Sequence, residues 1–414
     1  MLGRRVAGMA AAVVVAWLVT TSSDVSAQDV ITFWHSGTNV QTQAWLRENI
    51  FPEFEKKHNV VIEDLAIGWG TQREEKLAVA FAAGVGPDII VGSGNTQWAI
   101  SLEDYVSEWE DRHQIPEPMW LNQRDVNGVL RGVPYVGAPR GFGYSRRAAS
   151  EVGLPADVPP QSWEELLEWA RRLTQIDSDG AVIRSGFETE WNPPQVGSEF
   201  DWFLQQNGGS VASEDWRTST ILGDLGLEAL EIMKELYQLG RGPGVTQPVT
   251  QGAFPQGRVG IARVVVQTFS AWKELNGDIE DLVVYSPRRS PAHVPVTLTF
   301  VDGFVITEQS KNPDLAWELI KVLLSPEVQH AYARLNNYGP VRQDVALSGE
   351  PHVEQFAPLY RIAEFSRPPG FFPGRSQAAP ILVQALRGEV APMTALLQMH
   401  EAQQLEIDRF WQER

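Results

Sequence analysis

Short apolar strands alternate with amphipathic stretches along this chain, and that alternation restricts it to an α/β architecture. Residues 30–34 read as a first strand, after which Leu46, Ile50 and Phe54 recur at the spacing of one helix face. Pro52 lies within that pattern and, lacking an N–H, predicts a kink or a restart there. Residues 60–65 read as a second strand, 72–83 as a helix stopped at Gly84, and 87–91 as a third strand running into Gly92-Ser93-Gly94-Asn95. Three such β-to-α connections predict a parallel sheet whose strand ends share one edge. A glycine-rich passage from Gly132 to Gly143 separates this unit from the next. There Ser162 and Glu165 form a capping box opening a helix with Trp163, Leu166, Ala170 and Leu173 inward. Leu227, Leu230, Met233 and Tyr237 mark another helix, ended near Gly240. Residues 260–267 and 298–306 read as buried strands, and helices are expected from Asn312-Pro313, from Ser325-Pro326 and from Ser376 onward.

The first 27 residues have the make-up of an export leader. Arg4 and Arg5 precede an apolar core over residues 6–19, and Val25-Ser26-Ala27 offers a small-residue cleavage pattern. The core is shorter than the roughly 20 residues that span a bilayer, so cleavage before Gln28 is expected over retention as an anchor. The chain has 0 cysteines, which removes disulfides, thiolate metal sites, thiol nucleophiles and the acylated cysteine of an exported lipoprotein. A soluble periplasmic product is expected. Without Arg4, Arg5 and Asp24 the balance is 32 basic against 51 acidic residues, a net of -19. So acidic a surface argues against nucleic acid or an anionic membrane as partner.

Several local patterns together resemble the family 1 extracellular solute-binding proteins, the receptors of sugar-type, maltose-binding-protein-like ABC importers. They are Ile31-Thr32-Phe33-Trp34-His35, Phe54-Glu55-Lys56-Lys57, Ala82-Ala83-Gly84 with Gly86-Pro87-Asp88, and Gly132-Val133-Pro134-Tyr135. Gly153-Leu154-Pro155, Ser162-Trp163-Glu164-Glu165-Leu166, Phe254-Pro255-Gln256-Gly257-Arg258, Ser310-Lys311-Asn312-Pro313 and Gly339-Pro340-Val341-Arg342-Gln343-Asp344 continue the likeness in the same order. Ser145, where the family commonly has asparagine, and Pro52 depart from it. The resemblance implies the two-lobe periplasmic binding protein fold of type II, with a ligand cleft between α/β lobes that closes by hinge motion. It places residues 28–138 plus 298–340 in lobe one and 139–297 plus 341–414 in lobe two. It also implies a monomer that hands a sugar to membrane permease subunits, with no cofactor.

Residue types suggest what fills such a cleft. Of 15 tryptophans, Trp34, Trp69, Trp191 and Trp202 fall in expected strand-end loops, where an indole can cover the C–H face of a pyranose. Trp163, Trp272 and Trp317 follow helical patterns and read as core. Polar candidates in the same loops are His35, Ser36, Gln72, Arg73, Ser93 and Asn95, with Asp302 and Gly303 in a return strand. Arg140 lies in the crossover, Gln267 ends a buried strand, Tyr338 precedes a return to lobe two, and Arg375 lies in the loop before the last helices. By resemblance to glycerol-phosphate-type receptors, Arg375 falls near an arginine that points into the cleft. Arg73, Arg140, Arg263 and Arg375 keep an anionic sugar or glycerophosphate ester as the alternative ligand.

Enzymatic signatures are sparse. No nucleophile elbow or P-loop occurs, and His400-Glu401 lacks the second histidine of a zinc peptidase helix. Asp177-Ser178-Asp179-Gly180 begins like a calcium loop without its later ligands and reads as a hairpin turn. His35 has no second ligand at a metal-like spacing, so no metal site is expected. An exported glycoside hydrolase stays open as the rival class, because a carboxylate pair can form in space alone.

Overall fold

The structure, a computed structural model, describes residues 29–37, 40–68, 71–92, 97–193, 195–240, 252–266, 268–297, 299–336, 339–345, 355–356, 359 and 375–412. The expected leader, Trp69, Ser93, Asn95, Gln267 and Tyr338 lie outside them.

β1 (Asp29–His35), β2 (Val60–Ala66) and β3 (Ile89–Gly92) run parallel, with β1 between the other two. The alternation of strands and helices thus produces its parallel unit, yet the sheet continues as a mixed one. β4 (Val133–Pro139), β10 (Thr299–Ile306) and β11 (Gly339–Pro340) complete the order β11-β4-β10-β3-β1-β2, with β10 antiparallel to both β3 and β4. Local periodicity carries no record of this pairing, because β10 arrives from far along the chain. The second sheet has the order β6-β7-β8-β5-β9, from β5 (Gly141–Ser145), β6 (Gln175–Ile176), β7 (Val182–Glu188), β8 (Val259–Val264) and β9 (Leu282–Tyr285). β7 and β8 are parallel and β5 is antiparallel to β8.

Local chemistry explains the breaks. The first helical stretch divides into Val40–Asn49 and Phe51–His58, so Pro52 marks a restart and sits in the first turn, where its missing N–H costs nothing. Ser162 Oγ accepts from Glu165 N–H at 3.1 Å, while the Glu165 carboxylate reaches back to Gln161 N–H at 2.7 Å, one residue beyond the usual reciprocal bond. In the β6–β7 hairpin, Asp177 Oδ1 accepts from the N–H groups of Asp179 and Ala181, and Gly180 supplies a φ of +82°. The turn expected from this segment is therefore what it forms.

Alternation along the strands sends side chains to both faces of each sheet. In the first, Ile31, Phe33, Ile89, Val91, Phe304 and Ile306 pack on one face, Ile90 and Val305 on the other. In the second, Phe142, Phe187 and Ile261 pack against the helices Trp163–Leu173, Gln195–Gln206, Asp224–Leu239, Arg375–Leu386 and Pro392–Gln412. Ala262 and Val264 meet Phe254 and Trp272 on the opposite side. Burying each large apolar side chain contributes about 1.5–3 kcal/mol, so each sheet is held by apolar clusters on both of its faces. The chain stays with the first core past residue 340: Val341 is buried in it and Gln343 N–H donates to Gln114 O.

Candidate functional site

Among the described residues two strand-to-strand connections join the sheets, and their registers show where. β4 ends at Pro139 opposite Thr299, the first residue of β10. After Arg140, Gly141 opens β5 opposite Val264, the last residue of β8. The return leaves β9 at Tyr285, opposite Phe142, and enters β10 at Thr299. Both connections therefore run between the carboxyl-terminal edge of β1, β2 and β3 and that of β7 and β8. Ligands of open α/β sheets bind at such edges, and here two of them share one border. The Thr297 hydroxyl donates to Arg140 O, tying one connection to the other.

On the second sheet the border carries a charged cluster. Arg140 Nη1 and Arg263 Nε each lie 3.5 Å from Glu199 Oε1, and Arg263 Nη2 bonds Glu190 Oε1. Glu199 has 0% exposure, and burial pushes its carboxyl up against the pull of Arg263 and Arg140. Beside it, Glu188 closes β7 and accepts from Trp191 Nε1 at 2.8 Å. The Trp191 ring stands edge-on to Tyr237 at 5.3 Å and is 7% exposed.

On the first sheet, His35 Nδ1 accepts from Gly37 N–H at 3.0 Å, which assigns the ring proton to Nε2, 3.4 Å from Asp64 Oδ2. Burial raises the Asp64 carboxyl, but the bonds from His35 and Arg47 outweigh it and hold it at about 2. His35 thereby fastens the end of β1 to β2 instead of presenting a free ring. Arg73 Nη2 donates to Val91 O at 3.0 Å and crosses over Gly92, where a Cβ would meet Nη2 at 2.3 Å. Gly303, at a register shift in β10, is likewise covered: the Gln123 amide would stand 2.1 Å from a Cβ there. These glycines admit neighbouring side chains rather than a ligand.

Burial pushes Asp302 up to about 6, against the Arg73 guanidinium. A carboxyl raised from 3.8 to about 6 favours folding below the lower value, and that contribution is lost as pH rises through the higher one. Its full size is on the order of 3 kcal/mol. Asp302→Asn should therefore flatten the fall in stability between pH 4 and pH 7, measured by urea midpoints. An undiminished fall would refute the assignment.

The structure brings Ser36, Arg73, Arg140, Trp191 and Asp302 to the shared border. Trp34 is half-buried against Ile67, Leu77 and Phe81, and Gln72 is exposed on the helix Thr71–Ala82. Arg375 opens the helix Arg375–Leu386 instead of lying in a loop. Trp202 is a correction: it lies inside the helix Gln195–Gln206, has 0% exposure, and donates from Nε1 to Val296 O at 2.8 Å. Its ring meets Phe142 at 4.8 Å, so it serves the core. Glu199 and Glu190 were not singled out from sequence, although a glutamate on the apolar face of Val196, Phe200 and Phe203 is the signal that marks Glu199. A separate groove of about 540 Å³, lined by Tyr105, Trp109 and Trp317 among others, includes none of the strand-end residues. Among the described residues no group of three or more His, Asp or Glu could hold a metal ion.

Comparison with known proteins bears on this geometry. A family model described as "Bacterial extracellular solute-binding protein" matches residues 49–356. A putative binding protein of Brucella abortus is 22% identical over 284 residues, spanning 66% of this chain and 66% of its own length. The sugar-binding protein MalE of Xanthomonas citri superposes with a TM-score of 0.76 at 18% identity, covering 92% of this chain and 98% of that one. An ABC transporter solute-binding protein of Thermotoga lettingae, bound with α-D-tagatose, gives 0.72 at 21% identity, covering 92% and 100%. These likenesses establish the two-lobe α/β fold.

Proposed function

Because this chain belongs to the bacterial extracellular solute-binding protein family, we propose that it is the receptor of an ABC importer. It captures a mono- or oligosaccharide between its lobes and passes it to a membrane permease. The observation that carries the proposal is the shared border: two carboxyl-terminal sheet edges joined at Arg140 and before Thr299, so that a ligand touching both edges is enclosed when the crossings flex. Lobe one comprises the first sheet and its helices, and lobe two the second sheet with the C-terminal helices. Ser36, Arg73 and Asp302 offer polar groups for hydroxyls at the border, backed by the largely buried Trp191 and Arg140. Sugar-bound relatives of the same fold, such as the tagatose complex, support this ligand class.

The proposed receptor acts in the periplasm as a monomer, exported by its leader and, having 0 cysteines, untethered by lipid. It returns its ligand unchanged, unlike a glycoside hydrolase. A thermal-shift screen of the mature protein against neutral sugars, sugar acids and glycerophosphate esters checks this. A ligand at 100 times its Kd stabilises by about 2.7 kcal/mol, so a true ligand gives a clear rise in Tm. A panel without any stabilising sugar, or hydrolysis of an offered glycoside, would overturn it.

A further inference from the structure

Arginines at a ligand-binding edge ordinarily suggest an anionic ligand, because the guanidinium fork matches a carboxylate or phosphate. Here the Arg263 guanidinium is already engaged. Arg263 meets Glu190 through Nη2 and stands 3.5 Å from Glu199 through Nε, while Arg140 stands 3.5 Å from the same Glu199 oxygen. The arginine side chains are each 6% exposed, Glu199 is 0% exposed, and Glu190 is 22% exposed. Glu190 is thus the carboxylate of this cluster that an arriving molecule meets first. It lies just past Glu188, the last residue of β7, at the border itself.

An anion aimed at Arg263 would have to displace Glu190 and then remain beside it, with the more deeply buried Glu199 behind. Two like charges in a partly desolvated edge repel far more strongly than in water. An uncharged polyol meets no such opposition. An ionised carboxylate has about four acceptor positions, so Glu190 can hold Arg263 and still accept a sugar hydroxyl. Specificity of this kind comes from an element that repels the wrong ligand as well as from contacts to the right one.

We infer that Glu190 is a specificity-determining residue: by occupying Arg263 it makes the border select uncharged, hydroxyl-rich ligands over sugar acids and sugar phosphates of the same size. The inference rests on the receptor reading above. It assigns the sugar class at the same site and predicts that the selectivity is carried by one carboxylate.

The test uses the full mature chain and matched probes: D-glucose, D-galactose and maltose against D-glucuronate, D-galacturonate and maltobionate, by calorimetry at low salt. Wild type should bind its best neutral sugar at least about tenfold more tightly than the matching acid. Glu190→Gln, which keeps the shape and uncovers Arg263, should cut that ratio at least about tenfold by strengthening the acid. Glu190→Asp, which keeps the charge, should preserve the discrimination. The gain in Glu190→Gln should shrink at high salt, because it is made of charge. Circular dichroism and melting of each variant confirm that the fold is intact. An unchanged ratio in Glu190→Gln, or a wild type that prefers the acids, overturns the inference and leaves the receptor reading standing. Failure of wild type to bind any sugar of either kind overturns the receptor reading, and this inference with it.

Discussion

Glu199→Ala should lower the stability of this chain by about 3–5 kcal/mol, the cost of removing one member of a buried charge cluster. The Glu199 side chain is 0% exposed and lies 3.5 Å from both Arg140 and Arg263, whose own side chains are each 6% exposed. Removing the carboxylate leaves both guanidinium groups in a low-dielectric environment with less to offset their desolvation. Glu199→Gln keeps the volume and should recover only part of the loss. Glu190→Gln makes a useful contrast: its side chain is 22% exposed and Arg263 keeps Glu199 at 3.5 Å, so a smaller loss, about 1–3 kcal/mol, is expected. Urea denaturation read at the midpoint compares the three. A Glu199→Ala effect no larger than that of Glu190→Gln would show that the cluster is solvated and would remove it from the account.

Trp202→Ala should cost a similar amount by a different route. The indole is fully buried, packs against Phe142 at 4.8 Å, and closes its own N–H on Val296 O. Truncation loses the transfer energy of the ring and opens a cavity, together about 3–5 kcal/mol, while Val296 O keeps its bond from the Ser286 hydroxyl. Ligand affinity, measured on folded protein well below its melting temperature, should stay within about twofold. A large affinity loss in a variant of unchanged stability would place Trp202 in the cleft.

The error over Trp202 shows what sequence pattern could and could not supply. Strands and helices with strong period, such as β1, β2 and the helix Trp163–Leu173, were legible because burial imposes the period that the residues display. The helix Gln195–Gln206 was not, because it is apolar on most sides: Val196, Phe200, Trp202, Phe203 and Leu204 are all buried, and one-sided periodicity disappears in such a segment. Short strands fared worse. β9 spans Leu282–Tyr285 and joins the sheet beside β5 through contacts made far apart in the chain.

The candidate site was legible only as an edge. Strand ends fall where the hydrophobic pattern stops, so Ser36, Arg73 and Arg140 could be placed near it from sequence. What those residues face is a matter of three-dimensional pairing. His35 is taken up by Asp64, Gly303 by Gln123, and Arg263 by Glu190, none of which is a sequence neighbour. The family resemblance supplied the two-lobe plan that composition alone leaves open, and the likeness to solved structures at TM-scores of 0.72 and 0.76 bears it out. The individual ligand contacts proposed above rest on the geometry of the border.

Everything proposed for the function depends on the crossings at Arg140 and before Thr299 behaving as a hinge between two enclosing lobes. Small-angle X-ray scattering of the mature protein, free and saturated with the ligand identified by thermal shift, tests that most directly. The account predicts a smaller radius of gyration in the bound state, because a ligand held by both sheet edges favours the closed arrangement in proportion to its differential affinity for it. An identical radius of gyration with saturation confirmed by calorimetry would contradict it, and would point to a rigid binder or an enzyme with a preformed site.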